Sequence, residues 1–589
     1  MNALLVLLLA CAAIVIGYGW YAKRIDRLVI QPDNRKATPA TMYMDGVDFT
    51  PANRNVLFGY QFKSIAALGP ILGPIVAVQW GWLPALLWII LGTFFIGWVQ
   101  DYGSIMLGVR EEGQTFGALS YRLISPRSRS ILLVFIYFYL WLIMGSFGTQ
   151  IGFNLLVQPF VPLGVLAVVL LGVLAGQMTY RWKQDIILTT VVTVVLSFVG
   201  IWLGTLPEVR SFFSVILGYG ADGKGTSPTL FLAVTQAKLI GSLAVLVICY
   251  FGGVLPIWRW AQPINYVSFW IVFLGIVGGV VGLLIWHPGM GDFPAFTSFN
   301  PGIGPLWPIL FVTIACGAIS GWHSLVSSSG TARQIEREGD ALFVGGGAMF
   351  LEMFFATIAF LTATVAFGGL KGYQAAGGGG AAAKVFSTGL ATFMNKWGLP
   401  MELGSAYGSV FLVLMGLTIM YLVVRFMRVA SAEALGDRIP ALRNVHVGSI
   451  VALIFTLILI WLVPFLQIWV LFGAANQLMA SLALLLLSLW LLSKGKSFQW
   501  AFWPFVFMFV TTMVALVWNV YSALFVNLPA AATKAKALGQ TVQQYSVAQV
   551  IIACVAIVLF VAAGILAYDG VRALLKAKRG AKAVPVPQA

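Results

Sequence analysis

Charged residues are scarce in this sequence: Asp, Glu, Lys and Arg make up 9% of its 589 residues, whereas 60% are hydrophobic. A soluble domain carries about a quarter charged residues to keep its surface in water. The apolar stretches recur from end to end, so there is no room for a sizeable soluble domain. The composition therefore predicts an all-α polytopic membrane protein.

Residue patterns that carry enzyme chemistry are also missing. The four cysteines, Cys11, Cys249, Cys316 and Cys554, each lie within an apolar segment, as small buried hydrophobic residues do. The three histidines are far apart in the sequence. Residues 218–223 match G-x-G-x-x-G but lack the strand–turn–helix context of a dinucleotide site. We therefore expect no metal site, no cofactor and no enzymatic activity.

About fifteen segments are long and apolar enough to cross a bilayer, for which a helix needs roughly 20 residues. The first is predicted to be a retained helix rather than a signal peptide, because it has no basic n-region and no small-residue cleavage site. The segments begin near Asn2, Phe58, Trp82, Ser130, Val161, Gln184, Gln236, Pro263, Pro305, Ala341, Glu402, Val447, Ile468, Phe498 and Val547.

The net charge of +16 is explained by membrane topology rather than by nucleic-acid binding. Most of the 35 Lys and Arg residues fall in alternate loops, as the positive-inside rule requires of cytoplasmic loops. This pattern predicts an N-terminus outside, a C-terminus in the cytoplasm and no nucleic-acid partner. Two outer loops, 205–235 and 368–400, are long. In the second, Val385, Phe386, Leu390 and Phe393 fall at helical spacing, which indicates a short helix, either resting at the interface or acting as an external lid.

The strongest motif is in the second span, where two Gly-Pro pairs, Gly69-Pro70 and Gly73-Pro74, follow each other. Proline removes an amide donor and interrupts the helical hydrogen-bond ladder. In lipid the freed carbonyls need protein or a water-filled cavity around them, and broken helices at the membrane midplane are how transporters expose backbone to substrate. Gly69, Pro70 and Gly73 are therefore predicted to bind substrate; a simple proline kink is the alternative.

Several costly polar side chains lie inside predicted spans. Lys63 precedes the Gly-Pro pairs, and we expect either a charge on the substrate route, beside Gln61, or an ammonium that reaches the cytoplasmic surface. Asp101 and Glu352 are the candidates for proton-carrying carboxyl groups, with a helix–helix hydrogen bond or a pair with Lys63 as the alternative. For the amides of Asn476 and Gln477 we favour helix packing over function. These last two are the sites of intramembrane polarity in the thirteenth span.

The ninth span carries a small and polar stretch from Ala315 to Gly330. Glycines in such a stretch allow close backbone approach, which is also an ordinary packing device in membranes. Its hydroxyl groups and its histidine exceed what packing needs. We predict that Ser320, Gly321 and His323 bind substrate and that Ser327 and Ser328 serve ion coupling.

These motifs resemble the carbon starvation protein A (CstA) family of bacterial inner-membrane transporters over roughly residues 43–492. The resemblance is carried by residues 45–49, 66–74, 99–102, 314–330 and 471–478. It implies uptake of peptides or of pyruvate, with H⁺ (or Na⁺) as the coupling ion. It also implies a LeuT/APC-like inverted repeat with extra helices, in which spans two and seven open the two halves and the Cys249–Pro256 stretch forms the second break.

One departure from the family bears on coupling. Where many relatives look like Phe-Gly-His-His-Phe-Ala, this chain has Phe58-Gly59-Tyr60-Gln61-Phe62-Lys63. A role for that histidine pair does not transfer to this sequence: either Lys63 replaces it with a permanent charge, or the substrate differs.

The predicted function is a secondary transporter of a small anionic or zwitterionic solute in the bacterial inner membrane. A passive channel and a membrane-embedded enzyme or sensor are the alternatives. We expect an N-terminal helix and cytoplasmic loop in 1–57, a transport core in 58–445, and C-terminal helices with a basic tail in 446–589. The expected partners are the small-molecule substrate, the coupling ion and the lipid bilayer.

Overall fold

The computed structural model describes residues 1–45, 49–220 and 225–578, so parts of the 45–49 and 218–223 motifs and the basic tail from 579 onward lie outside the described residues. The chain is mostly helical, at 78%. Thirteen described helices are long and apolar enough to cross a membrane: Ala3–Ile30, Trp82–Arg110, Pro126–Leu155, Pro162–Arg181, Ile186–Leu203, Gln236–Val254, Ala261–Trp286, Glu338–Thr364, Met401–Leu435, Val445–Leu462, Phe465–Ser493, Gln499–Asn527 and Val542–Lys578.

The second predicted span is the bent pair Arg54–Ile65 and Gly69–Trp80, whose two halves meet at 48°. We call this pair the first broken helix. It raises the number of described candidate spans to at most fourteen, so the predicted count of about fifteen is not confirmed. The ninth predicted span accounts for the difference. It consists of two short helical pieces, 306–313 and Gly321–Ser329, separated by residues without regular structure, and we call it the second broken helix.

Burial separates a central group of spans from a peripheral one. The Phe465–Ser493 helix, which we call the scaffold helix, is completely buried over its most apolar window, and Met401–Leu435 is 83% buried. By contrast, the corresponding window of Ile186–Leu203 is only 28% buried. Apolar side chains face lipid at no cost, so peripheral helices need no protein cover. The broken helices therefore lie inside a wall of continuous ones.

The two long outer loops are partly ordered. The first contains the helix Pro207–Ile216 and a small antiparallel hairpin, Thr229–Phe231 with Val234–Thr235. The second contains the helices Leu370–Ala375 and Ala382–Asn395. The helix predicted there from residue spacing is thus confirmed, and its apolar face is buried against the Met401–Leu435 helix and its neighbours.

The predicted break at the end of span seven is wrong. The helix Gln236–Val254 is continuous, and the Pro256 region is the loop that joins it to Ala261–Trp286. The Arg425 guanidinium donates to the carbonyl oxygens of Gly252, at 2.8 Å, and Leu255. Since a cation at a helix C-terminus satisfies its free carbonyls and opposes its dipole, the Gly-Gly-x-x-Pro sequence ends a helix here and does not interrupt one.

One end of the molecule is fastened by ionic contacts that we call the Arg110 latch. The Arg110 guanidinium binds the Glu338 carboxylate through two hydrogen bonds of 2.8 and 3.1 Å, and it also donates to the Ile30 carbonyl oxygen. Lys496 donates to the carbonyl oxygens of Val29 and Ile30 at 2.8 and 2.7 Å. The latch therefore ties the end of the first span to three other parts of the bundle.

The buried ion pair of the latch is predicted to stabilise the fold. Glu338 is 3% exposed and Arg110 15%. The Glu338→Gln substitution keeps the shape but removes the charge that compensates Arg110, so we expect a loss of about 1–3 kcal/mol in the free energy of unfolding. The measurement is thermal unfolding of the purified protein in detergent.

The matched control is Asp437→Asn, which removes the charge from an ion pair whose Asp437 side chain is 93% exposed. An exposed pair contributes about 0–1 kcal/mol, so its loss leaves the Tm nearly unchanged. Equal unfolding temperatures for Glu338→Gln and the unsubstituted protein would contradict the prediction.

Candidate functional site

The two broken helices run antiparallel along their whole length. At one end, the Trp80 indole donates to the Gly304 carbonyl oxygen at 3.1 Å. At the other end, the Ala52 amide donates to the Gln334 carbonyl oxygen at 2.9 Å. Their interruptions, at residues 66–68 and 314–320, consequently lie at the same level of the bundle.

Glycines allow the two interruptions to touch. A Cβ atom on Gly69 would lie 2.2 Å from the Cys316 Sγ, and one on Gly73 would lie 2.7 Å from the Thr313 carbonyl oxygen. Both distances are shorter than van der Waals contact, so larger residues would push the helices apart. The two glycines therefore serve the close approach of the breaks.

The Gly-Pro pairs do not form the interruption itself, contrary to the prediction. The first half ends at Ile65, and residues 66–68 separate it from the helix Gly69–Ala77, in which Pro70 occupies the first turn. Proline is well suited to a first helical turn because the amide there has no intrahelical acceptor. The pairs thus start the second half, and the break precedes them.

A buried cluster of three titratable side chains lies next to the breaks. The His323 Nδ1 atom is 3.0 Å from the Asp101 Oδ2 atom, and its Nε2 atom is 3.3 Å from the Glu352 Oε2 atom. All three side chains are fully buried, and they come from three different spans. Because an uncompensated charge is costly at this depth, such a cluster responds to its surroundings by gaining or losing a proton.

The sequence indicated Asp101 and Glu352 as coupling groups and His323 as a substrate ligand, without relating them. The structure brings the three together. The neighbouring Gln100 contributes as well: its amide nitrogen donates to the Ser320 carbonyl oxygen at 2.7 Å and to the Ser324 hydroxyl. Gln100 and Asp101 thereby hold successive turns of one half-helix.

Lys63 is also buried, at 2% exposure, so it does not reach the cytoplasmic surface as one interpretation of the sequence proposed. Its ammonium group donates to the Thr418 hydroxyl at 2.7 Å. Within the described parts of the chain no carboxylate forms an ion pair with it, which excludes the predicted alternative of a pair with Asp101 in this conformation. When it is protonated, a buried amine without a counterion attracts an anion.

Gln61 connects the first half of the first broken helix, Arg54–Ile65, to the second half of the second, Gly321–Ser329. The Gln61 amide donates to the Ser327 hydroxyl at 3.0 Å and accepts a hydrogen bond from Thr331. Ser328 differs, because its hydroxyl bonds to the Leu325 carbonyl oxygen of its own turn. Ser327 thus contacts the first broken helix one turn before the interruption.

The amides of Asn476 and Gln477 bind backbone at both sides of the second interruption. The side-chain oxygen Oδ1 of Asn476 accepts a hydrogen bond from the Trp322 backbone amide at 3.2 Å. The side-chain nitrogen Nε2 of Gln477 donates to the backbone carbonyl oxygens of Phe311 and Ile314 at 2.8 and 3.1 Å. A buried backbone group left without a partner costs about 1–3 kcal/mol. These side chains therefore do more than pack: they stabilise the interruption.

Two contributors escaped the sequence analysis. Thr418 lies in an ordinary apolar run of the Met401–Leu435 helix, and nothing in its local sequence indicates that it binds Lys63. The Trp322 indole donates to the Ser64 carbonyl oxygen, one of those freed by the first interruption, at 2.7 Å. Tryptophan among glycines and serines in the ninth span was the one available signal.

Residues 61–70 and 312–328 are all buried, so the polar centre is closed off in this conformation. Two grooves on the described part of the molecule lie elsewhere. One, of about 620 Å³, has an apolar lining that includes Val195, Leu274 and Met394, and the other, of about 410 Å³, includes Tyr21 and Trp500. Neither includes a residue of the two interruptions.

The fold and the site together define a multi-pass helical membrane protein with a closed polar centre built on two interrupted helices. The sequence profile of the family described as "Carbon starvation protein CstA" matches residues 2–372 and 370–515. The chain belongs to this family, which confirms the resemblance found in the sequence motifs.

Two relatives come from Escherichia coli (strain K12). The first, named "Peptide transporter CstA", is 30% identical over 380 residues, which cover 62% of this chain and 50% of the relative. The second, "Pyruvate/proton symporter BtsT", is 31% identical over 377 residues, covering 62% of this chain and 49% of the relative. The chain thus spans about half the length of the curated relatives it matches.

Among solved structures, a manganese transporter from Eremococcus coleocola is similar, with a TM-score of 0.43 and 12% identity. The similarity covers 90% of this chain and 99% of that one.

The contact between the two interruptions is predicted to have room for a side chain at residue 69 or at residue 316, but not at both. Gly69→Ala places a methyl group on Cys316 and is expected to lower the free energy of unfolding by about 1–3 kcal/mol. Adding Cys316→Gly removes the clashing atoms and leaves the nearest backbone atom, the Cys316 Cα, 3.6 Å from the new methyl group.

The measurement is thermal unfolding of Gly69→Ala, Cys316→Gly and the double variant. We expect the double variant to regain most of the Tm that Gly69→Ala loses. Additive losses in the double variant would show that the two residues are not in contact.

Proposed function

We propose that this protein is a secondary active transporter, a proton symporter that imports pyruvate or small peptides across the bacterial inner membrane, and that it is not an enzyme. The observation that carries the proposal is the fully buried Asp101–His323–Glu352 cluster beside the meeting point of two interrupted helices. Two relatives, a peptide transporter and a pyruvate/proton symporter, support the same function.

The geometry of the cluster favours H⁺ over Na⁺ as the coupling ion. Hard cations such as Na⁺ prefer a shell of oxygen ligands. Here the imidazole lies between the two carboxyl groups, with Nδ1 hydrogen-bonded to Asp101 and Nε2 at 3.3 Å from Glu352 without hydrogen-bond geometry. A proton fits between a nitrogen and an oxygen 3.0 Å apart, whereas a metal ion needs a cage. Each titration step then belongs to the cluster as a whole.

Two features attract a substrate carboxylate. Among the described residues the Lys63 ammonium is hydrogen-bonded to the Thr418 hydroxyl alone, and the helix Gly69–Ala77 starts at the interruption with the positive end of its dipole. We assign the carboxylate to this region, with Lys63, Gln61, Gly69, Pro70 and Gly73 forming one wall of the site.

The second wall is assigned to Ser320 and Gly321, at the start of the helix Gly321–Ser329. His323 follows two residues later, so a solute at this position lies close to the proton-binding cluster. In this assignment Ser327 and Ser328 serve ion coupling indirectly, by helping to hold the helix Gly321–Ser329 in place. Proximity of solute and proton is what allows each to influence the binding of the other.

We further propose a LeuT/APC-like inverted repeat in which the second broken helix, and not span seven, is the counterpart of the first. Their antiparallel course supports this. The transport core then includes the scaffold helix, which holds Asn476 and Gln477 and lies beyond the predicted boundary at 445. The Arg110 latch and the basic loops are placed at the cytoplasmic side, with the N-terminus outside and the C-terminus in the cytoplasm.

Uptake of labelled pyruvate and of a labelled dipeptide into proteoliposomes tests the proposal. We expect accumulation that requires an inward proton gradient, and background uptake for His323→Gln and Glu352→Gln, because neither variant can pass a proton between the same groups. His446→Gln is the matched control, since His446 is bonded to Tyr250 at 2.8 Å, away from both interruptions.

Uptake that ignores the pH gradient would refute proton symport, and flux that merely equilibrates the solute would indicate a passive channel. Equal uptake by His323→Gln and His446→Gln would refute the role of the cluster.

Lys63→Met is predicted to abolish uptake while leaving membrane insertion intact, because it removes the charge but keeps an apolar side chain of similar length. Uptake is compared with the amount of folded protein in the membrane. Lys238→Met provides the control, because Lys238 lies in the first turn of another span, over the Phe153 ring. Unchanged uptake by Lys63→Met would remove Lys63 from the substrate route.

A further inference from the structure

The helix Gly321–Ser329 begins without the usual cap. The first amides of a helix have no intrahelical acceptor, and a Ser at the N-cap position ordinarily supplies one. Ser320 occupies that position, but its side chain makes no capping hydrogen bond. Instead, the side-chain oxygen Oδ1 of Asn476, on another helix, accepts hydrogen bonds from the Trp322 backbone amide and the Ser320 hydroxyl, both at 3.2 Å. The cap is therefore provided by a side chain of a different helix.

The residue that provides the cap is itself held firmly. Asn476 is fully buried in the scaffold helix, which is unbroken from Phe465 to Ser493. Its carbonyl side-chain oxygen also accepts from the Tyr139 hydroxyl at 2.6 Å. The two backbones are in direct contact, because a Cβ on Gly321 would lie 2.4 Å from the Asn476 main-chain oxygen. The first turn of the half-helix is thus fixed to a rigid neighbour.

His323 directly follows the capped residue Trp322. Its ring is hydrogen-bonded to Asp101 at 3.0 Å, the usual distance, and lies 3.3 Å from Glu352, just beyond the usual hydrogen-bond range. A shift of the first turn by about 1 Å would therefore separate the imidazole from one carboxyl group or the other.

We infer that Asn476 is a positioning residue for proton coupling: by capping the helix Gly321–Ser329 from a different helix of the same chain, it keeps His323 between Asp101 and Glu352. The inference rests on the proposed function for its consequence in transport, but its geometric content can be measured separately. Asn476 acts through Trp322 and His323, and it is not assigned a contact with the solute.

The chain offers a matched control in the next residue. Gln477 is equally buried, lies on the same helix and makes two hydrogen bonds to backbone, to the Phe311 and Ile314 carbonyl oxygens. Those bonds hold the part of the second broken helix before the interruption. Gln477→Leu therefore removes two buried hydrogen bonds, against four for Asn476→Leu, and leaves the cap of the His323 helix in place.

The experiment records the imidazole ¹⁵N resonances of the full-length protein in lipid nanodiscs after ¹⁵N-histidine labelling. The chain has three histidines, and His323→Gln assigns the signal of interest. We expect Asn476→Leu to move the His323 resonances by more than a linewidth. Asn476→Asp, which as the neutral acid keeps an acceptor oxygen of the same shape, and Gln477→Leu are expected to leave them in place; the Asn476→Asp spectrum is recorded at a pH low enough to keep this carboxyl protonated.

Proton-driven uptake by the same variants supplies the functional readout. Asn476→Leu is expected to lose on the order of tenfold or more, as misplacement of a reacting group by about 1 Å does, and Asn476→Asp to retain most of the uptake. If Asn476→Leu does not fold, Asn476→Ser replaces it with the same expected result, because its shorter hydroxyl does not reach the Trp322 amide.

The inference is overturned if Asn476→Leu leaves the His323 resonances unchanged, if Gln477→Leu moves them equally, or if Asn476→Asp loses as much uptake as Asn476→Leu. Failure of the proposed function has a different signature. In that case the unsubstituted protein shows no proton-driven uptake, while the resonances still decide whether Asn476 positions His323.

Discussion

The fold depends on one constraint: backbone groups freed inside a membrane must find partners within the protein. Two helices are interrupted at the same level of the bundle, and their free carbonyls are met by side chains. The Trp322 indole donates to the Ser64 carbonyl oxygen, and Gln477 donates to those of Phe311 and Ile314. Without these donors the interruptions would close into ordinary helix, and the polar centre would have no place to form.

The surrounding structure follows from that requirement. Partners for the free backbone groups must come from rigid elements, and the wholly buried scaffold helix supplies two of them from adjacent residues, Asn476 and Gln477. Close approach requires glycine on both sides, at Gly69 and Gly321. The polar groups at the two interruptions are buried within protein, where they can serve the proposed transport.

Much of this was visible in the sequence and some was not. The Gly-Pro pairs correctly indicated a broken second span, but placed the interruption a few residues too late, because proline opens a helix more readily than it ends one. The ninth span was predicted as one polar helix, and the Cys249–Pro256 stretch as a break. Local composition does not distinguish an interrupted helix from one that ends, since the difference lies in which carbonyls find donors elsewhere.

The sequence by itself determined the class of protein, the approximate set of spans and the family, because apolar length, loop charge and long motifs are properties of the chain alone. Only the tertiary structure decided that Asp101, His323 and Glu352 form one cluster, that Lys63 meets Thr418, and that Asn476 caps a helix it is not part of. His323 and Glu352 are 29 positions apart, and the other contacts join residues more than 150 positions apart. Helix packing alone sets such distances, and no local pattern encodes them.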